Sequence, residues 1–174
     1  IAACAKAIEL NPEQGDAYDN WGLACVGQGE FKKAIPFFTK AIELNPDNLA
    51  ANMHEFYYNR GCAYHHLGEF GRAIADYTNS IELNPEFTEA FSKRGSAYQN
   101  LGEFENAIPD YFKAIELNPE DTSLYCDRGD TYKSLGEDEL AKKDYLKADE
   151  LKNERLSEGI EPADVPQVEA NNKH

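Results

Sequence analysis

Basic residues are scarce in this 174-residue chain: 17 Lys and Arg stand against 32 Asp and Glu, a formal net charge of −15. That deficit argues against a phosphate backbone or an anionic lipid surface as the main partner, since both would be repelled. Nucleic acid is therefore not expected as a ligand, and a basic or neutral protein is. Much of the acid is solvated helix face. Long apolar runs are missing too, so no membrane span is encoded. Cysteine is sparse: Cys4, Cys25, Cys62 and Cys126 are separated by 21, 37 and 64 residues. That fits neither a zinc pattern nor a small secreted disulfide framework. The cysteines read as reduced, packed thiols, and the reading leans toward a reducing, cytoplasmic compartment. No nucleophile motif, phosphate loop or HExxH pair occurs, so no catalytic constellation, cofactor site or metal site is expected. The chain opens at Ile1, inside a helical pattern, and reads as a piece of something longer, from which a signal or anchor could have been lost.

What is present is repetition. Glu-Leu-Asn-Pro occurs four times, with its asparagines at Asn11, Asn45, Asn84 and Asn118, so the steps are 34, 39 and 34 residues. A period of that size marks a helical array whose units bury their apolar faces only by stacking on neighbours. Cys62 and Cys126 are two repeats apart on this register, too far to bridge.

Aligned on itself, the chain yields columns. Gly22, Gly61, Gly95 and Gly129 form one, and Gly29, Gly68, Gly102 and Gly136 another, seven residues later. The first glycine lets two helices approach closely, and the second ends its helix in the left-handed C-cap conformation. Glu30, Glu69, Glu103 and Glu137 follow, where the positive end of a helix dipole favours acid. The second helix then carries Ala34, Ala73, Ala107 and Ala141; Phe38, Tyr77, Tyr111 and Tyr145; and Ala41, Ser80, Ala114 and Ala148. Spacings of four and three put these on one stripe, an aromatic knob between small residues. Asn-Pro stops the helix because a residue before proline avoids the α region. The pattern predicts helices over 1–10, 15–28, 31–44, 48–67, 70–83, 87–101, 104–117, 121–135 and 138–155.

The paired glycines, the Ala, aromatic and Ala column and the closing proline, spaced as in Gly95, Gly102, Ala107, Tyr111, Ala114 and Pro119, resemble the tetratricopeptide repeat (TPR) family. The resemblance spans residues 1 to about 153. It implies an all-α, right-handed superhelical solenoid of helix-turn-helix hairpins, with a concave groove lined by the first helix of each hairpin, and it implies binding of a protein or peptide. The units are a partial repeat at 1–12 holding only a second helix, repeats at 13–46, 47–85, 86–119 and 120–155, and an acidic, proline-containing tail or linker at 156–174.

Two departures stand out. The 39-residue step adds five residues between Pro46 and Gly61, and since Leu49 to His54 is helix-compatible, the first helix of repeat 2 is expected to be longer by about 7 Å. Repeat 4 has Asp138 where Phe31, Phe70 and Phe104 stand and Asn153 where the prolines stand, as suits a terminal capping helix with a polar outer face. The stretch after Arg155 has no period and few large apolar residues, the composition of a disordered tail.

Several constellations could carry function. Arg60, Arg94 and Arg128 precede the first glycine, while Asp76, Asp110 and Asp144 precede the aromatic of the second helix; repeat 1 has Trp21 and Phe37 at those positions. Charge matches charge and aromatic matches aromatic, so the columns are expected to touch. A basic ladder for a ligand is one reading, and an ion pair holding each hairpin is the favoured one.

By resemblance, the groove is lined by Asp16, Asp19, Leu23 and Val26 in repeat 1 and by Glu55, Tyr58, Cys62 and His65 in repeat 2. Repeat 3 contributes Glu89, Ser92, Ser96, Gln99 and Asn100, and repeat 4 contributes Ser123, Cys126, Asp130 and Lys133. Asp16, Glu55 and Glu89 would form an acidic edge attracting Lys or Arg side chains, over a floor that reads an extended peptide by hydrogen bonds. Some TPR proteins hold the C-terminal carboxylate of chaperones with a Lys, Asn, Asn, Lys and Arg clamp. The corresponding positions here are Asp19, Leu23, Asn59, Glu89 and Lys93, which match fully only at Asn59 and reverse the charge at two places. Chaperone-tail binding is not expected. Cys62, His65 and His66 share a helix but do not close a metal site.

The composite reading is a non-enzymatic adaptor binding a peptide or partner domain in an acidic and polar groove. Two alternatives stay open at this point: a regulatory or substrate-recruiting array of a larger enzyme, and a scaffold that self-associates through the half-repeat Ile1 to Pro12.

Overall fold

The computed structural model describes residues 14–45 and 51–157, and the described residues form eight α-helices and no strand. In chain order these are α1 (Gly15–Val26), α2 (Phe31–Glu43), α3 (Met53–His66), α4 (Phe70–Leu83), α5 (Thr88–Asn100), α6 (Phe104–Leu117), α7 (Thr122–Ser134) and α8 (Asp138–Ser157). They pair as four successive hairpins, each second helix packing in turn on the first helix of the next hairpin. The fold is an all-α solenoid.

The two glycine columns behave as their positions require. Gly29, Gly68, Gly102 and Gly136 have φ of 73°, 74°, 76° and 78°. The following Glu N–H then reaches back to the carbonyl of Cys25, Tyr64, Tyr98 or Tyr132, each at 2.9 Å, which satisfies an orphan carbonyl at the helix end. In the other column the glycine admits an aromatic ring. A Cβ on Gly61 would stand 2.9 Å from the Tyr77 ring, on Gly95 3.0 Å from Tyr111 and on Gly129 2.7 Å from Tyr145, while on Gly22 it would collide with Phe38. Phe38, Tyr77 and Tyr111 are wholly buried, as are Ala34, Ala73, Ala107, Ala41, Ser80 and Ala114. Asn84 and Asn118, before Pro85 and Pro119, leave the helical region with ψ of 91° and 81° and end α4 and α6.

Arg60, Arg94 and Arg128 pair bidentately with Asp76, Asp110 and Asp144 through Nε and Nη2, at 2.7–2.8 Å. Their remaining Nη1 bridges to the preceding hairpin, from Arg60 to Thr39 Oγ1 (3.2 Å) and from Arg94 to Thr78 Oγ1 (3.0 Å). In the first hairpin, Trp21 stacks on Phe37 at 4.8 Å between centroids. The columns therefore touch, and the arginines are structural clips between helices, not a ladder of free cations.

The expected extension of the first helix of repeat 2 is not found. α3 starts at Met53 and has 14 residues, against 13 in α5 and α7. Ala51 and Asn52 form a turn, and residues 46–50 lie outside the described ones. Met53 and Phe56, 2% and 0% exposed, pack with Ala41 of the preceding hairpin. That burial fixes where the helix begins. The half-repeat at 1–12 and the tail after 157 likewise lie outside the described residues.

α8 closes the stack by a change of chemistry. Ile35 and Ile74 pack toward the next hairpin, and so do Ile42, Ile81 and Ile115; in these two columns repeat 4 has Lys142 and Asp149. A further hairpin would have to bury both charges, which is costly without partners.

Two consequences are testable. Arg94→Ala and Asp110→Ala should each destabilise the array by about 3 kcal/mol, because each leaves a buried charge alone. The double substitution should cost clearly less than the sum in a denaturant-melt cycle, and strict additivity would reject the pairing. Ser80 Oγ is buried without a hydrogen-bond partner among the described residues, at a column that is Ala in the other hairpins. Ser80→Ala should thus stabilise by about 1 kcal/mol, and a lower melting temperature would show that the hydroxyl has a partner after all.

Candidate peptide groove

The first helices α1, α3, α5 and α7 lie side by side and are cross-linked by polar side chains. Asn52 Nδ2 donates to Asp16 Oδ1 at 2.8 Å, and Asn59 Nδ2 donates to Asp19 Oδ1 at 3.0 Å, both from α3 or its N-cap to α1. His65 Nε2 lies 3.5 Å from Ser96 Oγ. Gln99 Nε2 donates across to Thr131 Oγ1 at 2.6 Å and to the Asp127 carbonyl at 3.1 Å. These links join residues of successive repeats into one surface.

The acidic edge is exposed: Asp16, Glu55 and Glu89 all face solvent. Asp19 does not. It is 7% exposed and its pKa is pushed up to about 6, chiefly by burial and further by the nearby charges of Glu55 and Asp16, against the stabilising bond from Asn59. At the opposite end, burial and then Asp130 raise the pKa of Asp127, opposed by Lys93. Lys93 is exposed, has no ion-pair partner among the described residues, and its charge is felt by Cys62, His65 and Asp127.

The floor between these ends is written by the second-helix aromatics. Tyr77 Oη donates to Cys62 Sγ at 3.6 Å, Tyr111 Oη to Gln99 Oε1 at 2.5 Å and Tyr145 Oη to Asp130 Oδ1 at 2.7 Å. Phe38 has no hydroxyl to offer, and Leu23, on the first helix of that hairpin, is 42% exposed. The floor thus changes from apolar at Leu23, through a thiol at Cys62, to amide at Gln99 and carboxylate at Asp130. Burial raises the Cys62 pKa, so it is a thiol and not a nucleophilic thiolate at neutral pH. Burial, with Lys93 and His66, lowers that of His65, which stays neutral there. Tyr58 is half-buried between Tyr77 and Phe87, at 5.9 and 4.9 Å.

Other expected residues are less engaged. Asn100 donates to the Ser96 carbonyl of its own helix, Ser123 bonds the N-cap Asp121, and Lys133 is exposed. Val26, Ser92 and Cys126 are half-buried. His66 stacks on Phe31 at 4.2 Å, away from any ligand set, and no group of three metal-ligating side chains exists among the described residues. Asn59 and Lys93, named above only as positions of a carboxylate clamp, and Asp127 and the tyrosine hydroxyls, not named there for the groove, join the site. The first three form a column two residues before the first glycine, which the repeat alignment already contains.

Asp19 makes the array sensitive to pH. Its pKa is higher folded than unfolded, so its contribution to stability is fully present below about 4 and is lost as pH rises through about 6. Asp19→Asn keeps an acceptor for Asn59 and removes that cost. It should raise stability at pH 7 by about 1–3 kcal/mol and make the wild-type-minus-variant difference vanish near pH 4. Equal melts of both proteins at pH 7 would contradict the buried carboxylate.

Comparison with known proteins fits this geometry. The tetratricopeptide repeat models match residues 16–48, 54–87, 88–121 and 122–155. No curated protein sequence matches the chain. Among solved structures, the crystal structure of MamA is similar with a TM-score of 0.82 and 26% identity, over 90% of this chain and 88% of that one. The first TPR of Spaghetti (RPAP3) bound to the HSP90 peptide SRMEEVD is similar with a TM-score of 0.66 and 28% identity, over 71% and 94% of the two chains. The first TPR domain of human RPAP3 gives 0.65 and 28%, over 74% and 98%. With repeat matches covering most of its length, the chain belongs to the tetratricopeptide repeat family.

Proposed function

We propose that this chain is a non-enzymatic adaptor that holds an extended, basic segment of a partner protein along its first helices. The observation that carries the reading is the sign and arrangement of charge. An exposed edge of Asp16, Glu55 and Glu89 borders the buried Asp19, and Asp127 and Asp130 close the other end. A ligand ammonium or guanidinium would meet carboxylates already grouped in a partly desolvated place, where pairing is stronger than in bulk water.

The contrast with Spaghetti supports this choice of ligand. Its bound peptide, SRMEEVD, is acidic. Here the positions that correspond to a carboxylate clamp hold Asp19 and Glu89, and Asp19 is already crowded by acid. An acidic tail would be repelled at both. Lys93, exposed and unpaired among the described residues, offers one carboxylate contact in the middle of the run. The preferred segment is therefore basic at both ends, with at most one acidic residue between.

Reversing Asp16, Glu55 and Glu89 to Lys tests the reading. All three are exposed, so helicity should stay intact while association with Lys- and Arg-rich members of a peptide library slows by about tenfold or more and loses its salt dependence. Identical binding profiles for the wild type and the triple variant would sink the proposal.

A further inference from the structure

One place in the array breaks the rule of its arginine clips. In the second and third hairpins, the arginine Nη1 has a threonine acceptor on the preceding second helix, Thr39 or Thr78. The same column holds Phe112 in α6 and Leu146 in α8. Arg128 consequently lies over the Phe112 ring, 4.1 Å from its centroid, and also over Tyr125 at 5.8 Å. Its Nε and Nη2 are used on Asp144, and its Nη1 has no acceptor among the described residues, although Arg128 is only 9% exposed. The guanidinium is held on one side by Asp144 and keeps one donor open to solvent or to a ligand.

Arg128 borders a hollow. A cavity of about 470 Å³ opens beside Arg128, lined by Tyr125 and by Lys142, Lys143 and Leu146 of α8. Leu146 is 61% exposed, and the adjoining Phe112 is 52% exposed. Two large apolar side chains stand in solvent where the preceding hairpins keep a threonine. Lys142 and Lys143 are exposed and have no ion-pair partners among the described residues, in a chain whose net charge is −15. Three acids line the hollow as well: Asp144 and Glu150 are paired with Arg128 and Lys147, which leaves Glu139 to oppose the two free lysines.

We propose that this face is a second docking surface, separate from the first-helix groove and opposite to it in sign, and that it takes an acidic, apolar helical segment of a partner protein. A leucine-sized side chain would cover Leu146 and Phe112, and a neighbouring carboxylate would accept from Arg128 Nη1 between Lys142 and Lys143. The commitment to an acidic occupant follows from the free donor and the unpaired lysines; the commitment to a helix follows from the setting. In the inner hairpins the corresponding side of the second helix receives the first helix of the next unit, whereas here Lys142 and Asp149 refuse another repeat.

The probe is a synthetic helix of about fifteen residues with Leu on one face and Glu on the other, beside matched peptides with Gln for Glu or Ala for Leu. It is titrated by calorimetry against the full chain, Phe112→Thr, Lys142→Glu/Lys143→Glu, and the Asp16, Glu55 and Glu89 to Lys triple variant. Phe112→Thr returns the residue type that Arg60 and Arg94 already use, and the lysines are exposed, so folding is not at risk in either. The Glu and Leu peptide should bind, and should weaken about tenfold or more in both end-face variants but not in the groove triple; the Gln and Ala peptides should bind poorly to the wild type. Binding that ignores the end-face variants, equal binding of the Gln peptide, or no binding would overturn the proposal. So would a concentration-dependent dimer abolished by Phe112→Thr, which assigns the face to a second copy, or adhesion to phosphatidylserine vesicles abolished by the lysine reversals. Tighter peptide binding after Glu158, Glu161, Asp164 and Glu169 are changed to Gln would assign it to the chain's own C-terminal segment, with the same effect.

Discussion

Every hairpin depends on one contact, an aromatic ring of the second helix packed against a glycine of the first. A Cβ at Gly61, Gly95 or Gly129 would sit 2.7–3.0 Å from that ring, inside the distance that side-chain carbons keep. The contact sets the separation of the two helices, and the small residues four before and three after the ring admit the neighbouring helix. It also determines what emerges on the far side. Because the ring runs beneath the first helix, a tyrosine hydroxyl in that column reaches Cys62, Gln99 or Asp130, whereas Phe38 delivers nothing polar. A packing requirement thereby supplies part of the chemistry of the proposed ligand surface.

The arginine clips are a second layer built on the first. Each guanidinium is held by its own hairpin's aspartate and lies over an aromatic ring three residues earlier in its helix, Tyr57, Phe91 or Tyr125 at 5.7 to 5.8 Å. In the second and third hairpins the third donor then ties successive second helices together through Thr39 or Thr78. The pattern was readable beforehand because arginine, aspartate and their joint replacement by Trp21 and Phe37 vary together within one chain. Phe112 carried no comparable warning. It looks like an ordinary apolar residue of an amphipathic helix, and only the position of Arg128 makes it an exception.

The repeat columns made the all-α fold, the caps and the core legible, since each column states one physical requirement four times. Two features escaped. The five residues added in repeat 2 are helix-compatible, yet burial of Met53 and Phe56 against Ala41 decides where α3 starts, and local propensity is overridden by packing. Asp19 read as one more acid lining the groove; its burial arises from how α3 lies against α1 and from Asn59, forty residues away in sequence. Long-range placement of that kind is invisible in a column that differs at every repeat.

The two proposed surfaces place different demands on electrostatics. A groove with several carboxylates on a chain of net charge −15 attracts a basic segment from a distance, so charge there assists encounter as well as residence. An acidic helix approaching Arg128 meets the opposite situation, because beyond about 8 Å in physiological salt it experiences little of two lysines and, at lower salt, mostly the repulsion of the whole chain. Its binding has to come from short range, from apolar area removed from water at Phe112 and Leu146 and from a hydrogen bond to a guanidinium that is mostly, though not wholly, buried. The exposed hydrophobic residues are accordingly what makes a small basic patch usable on an acidic array.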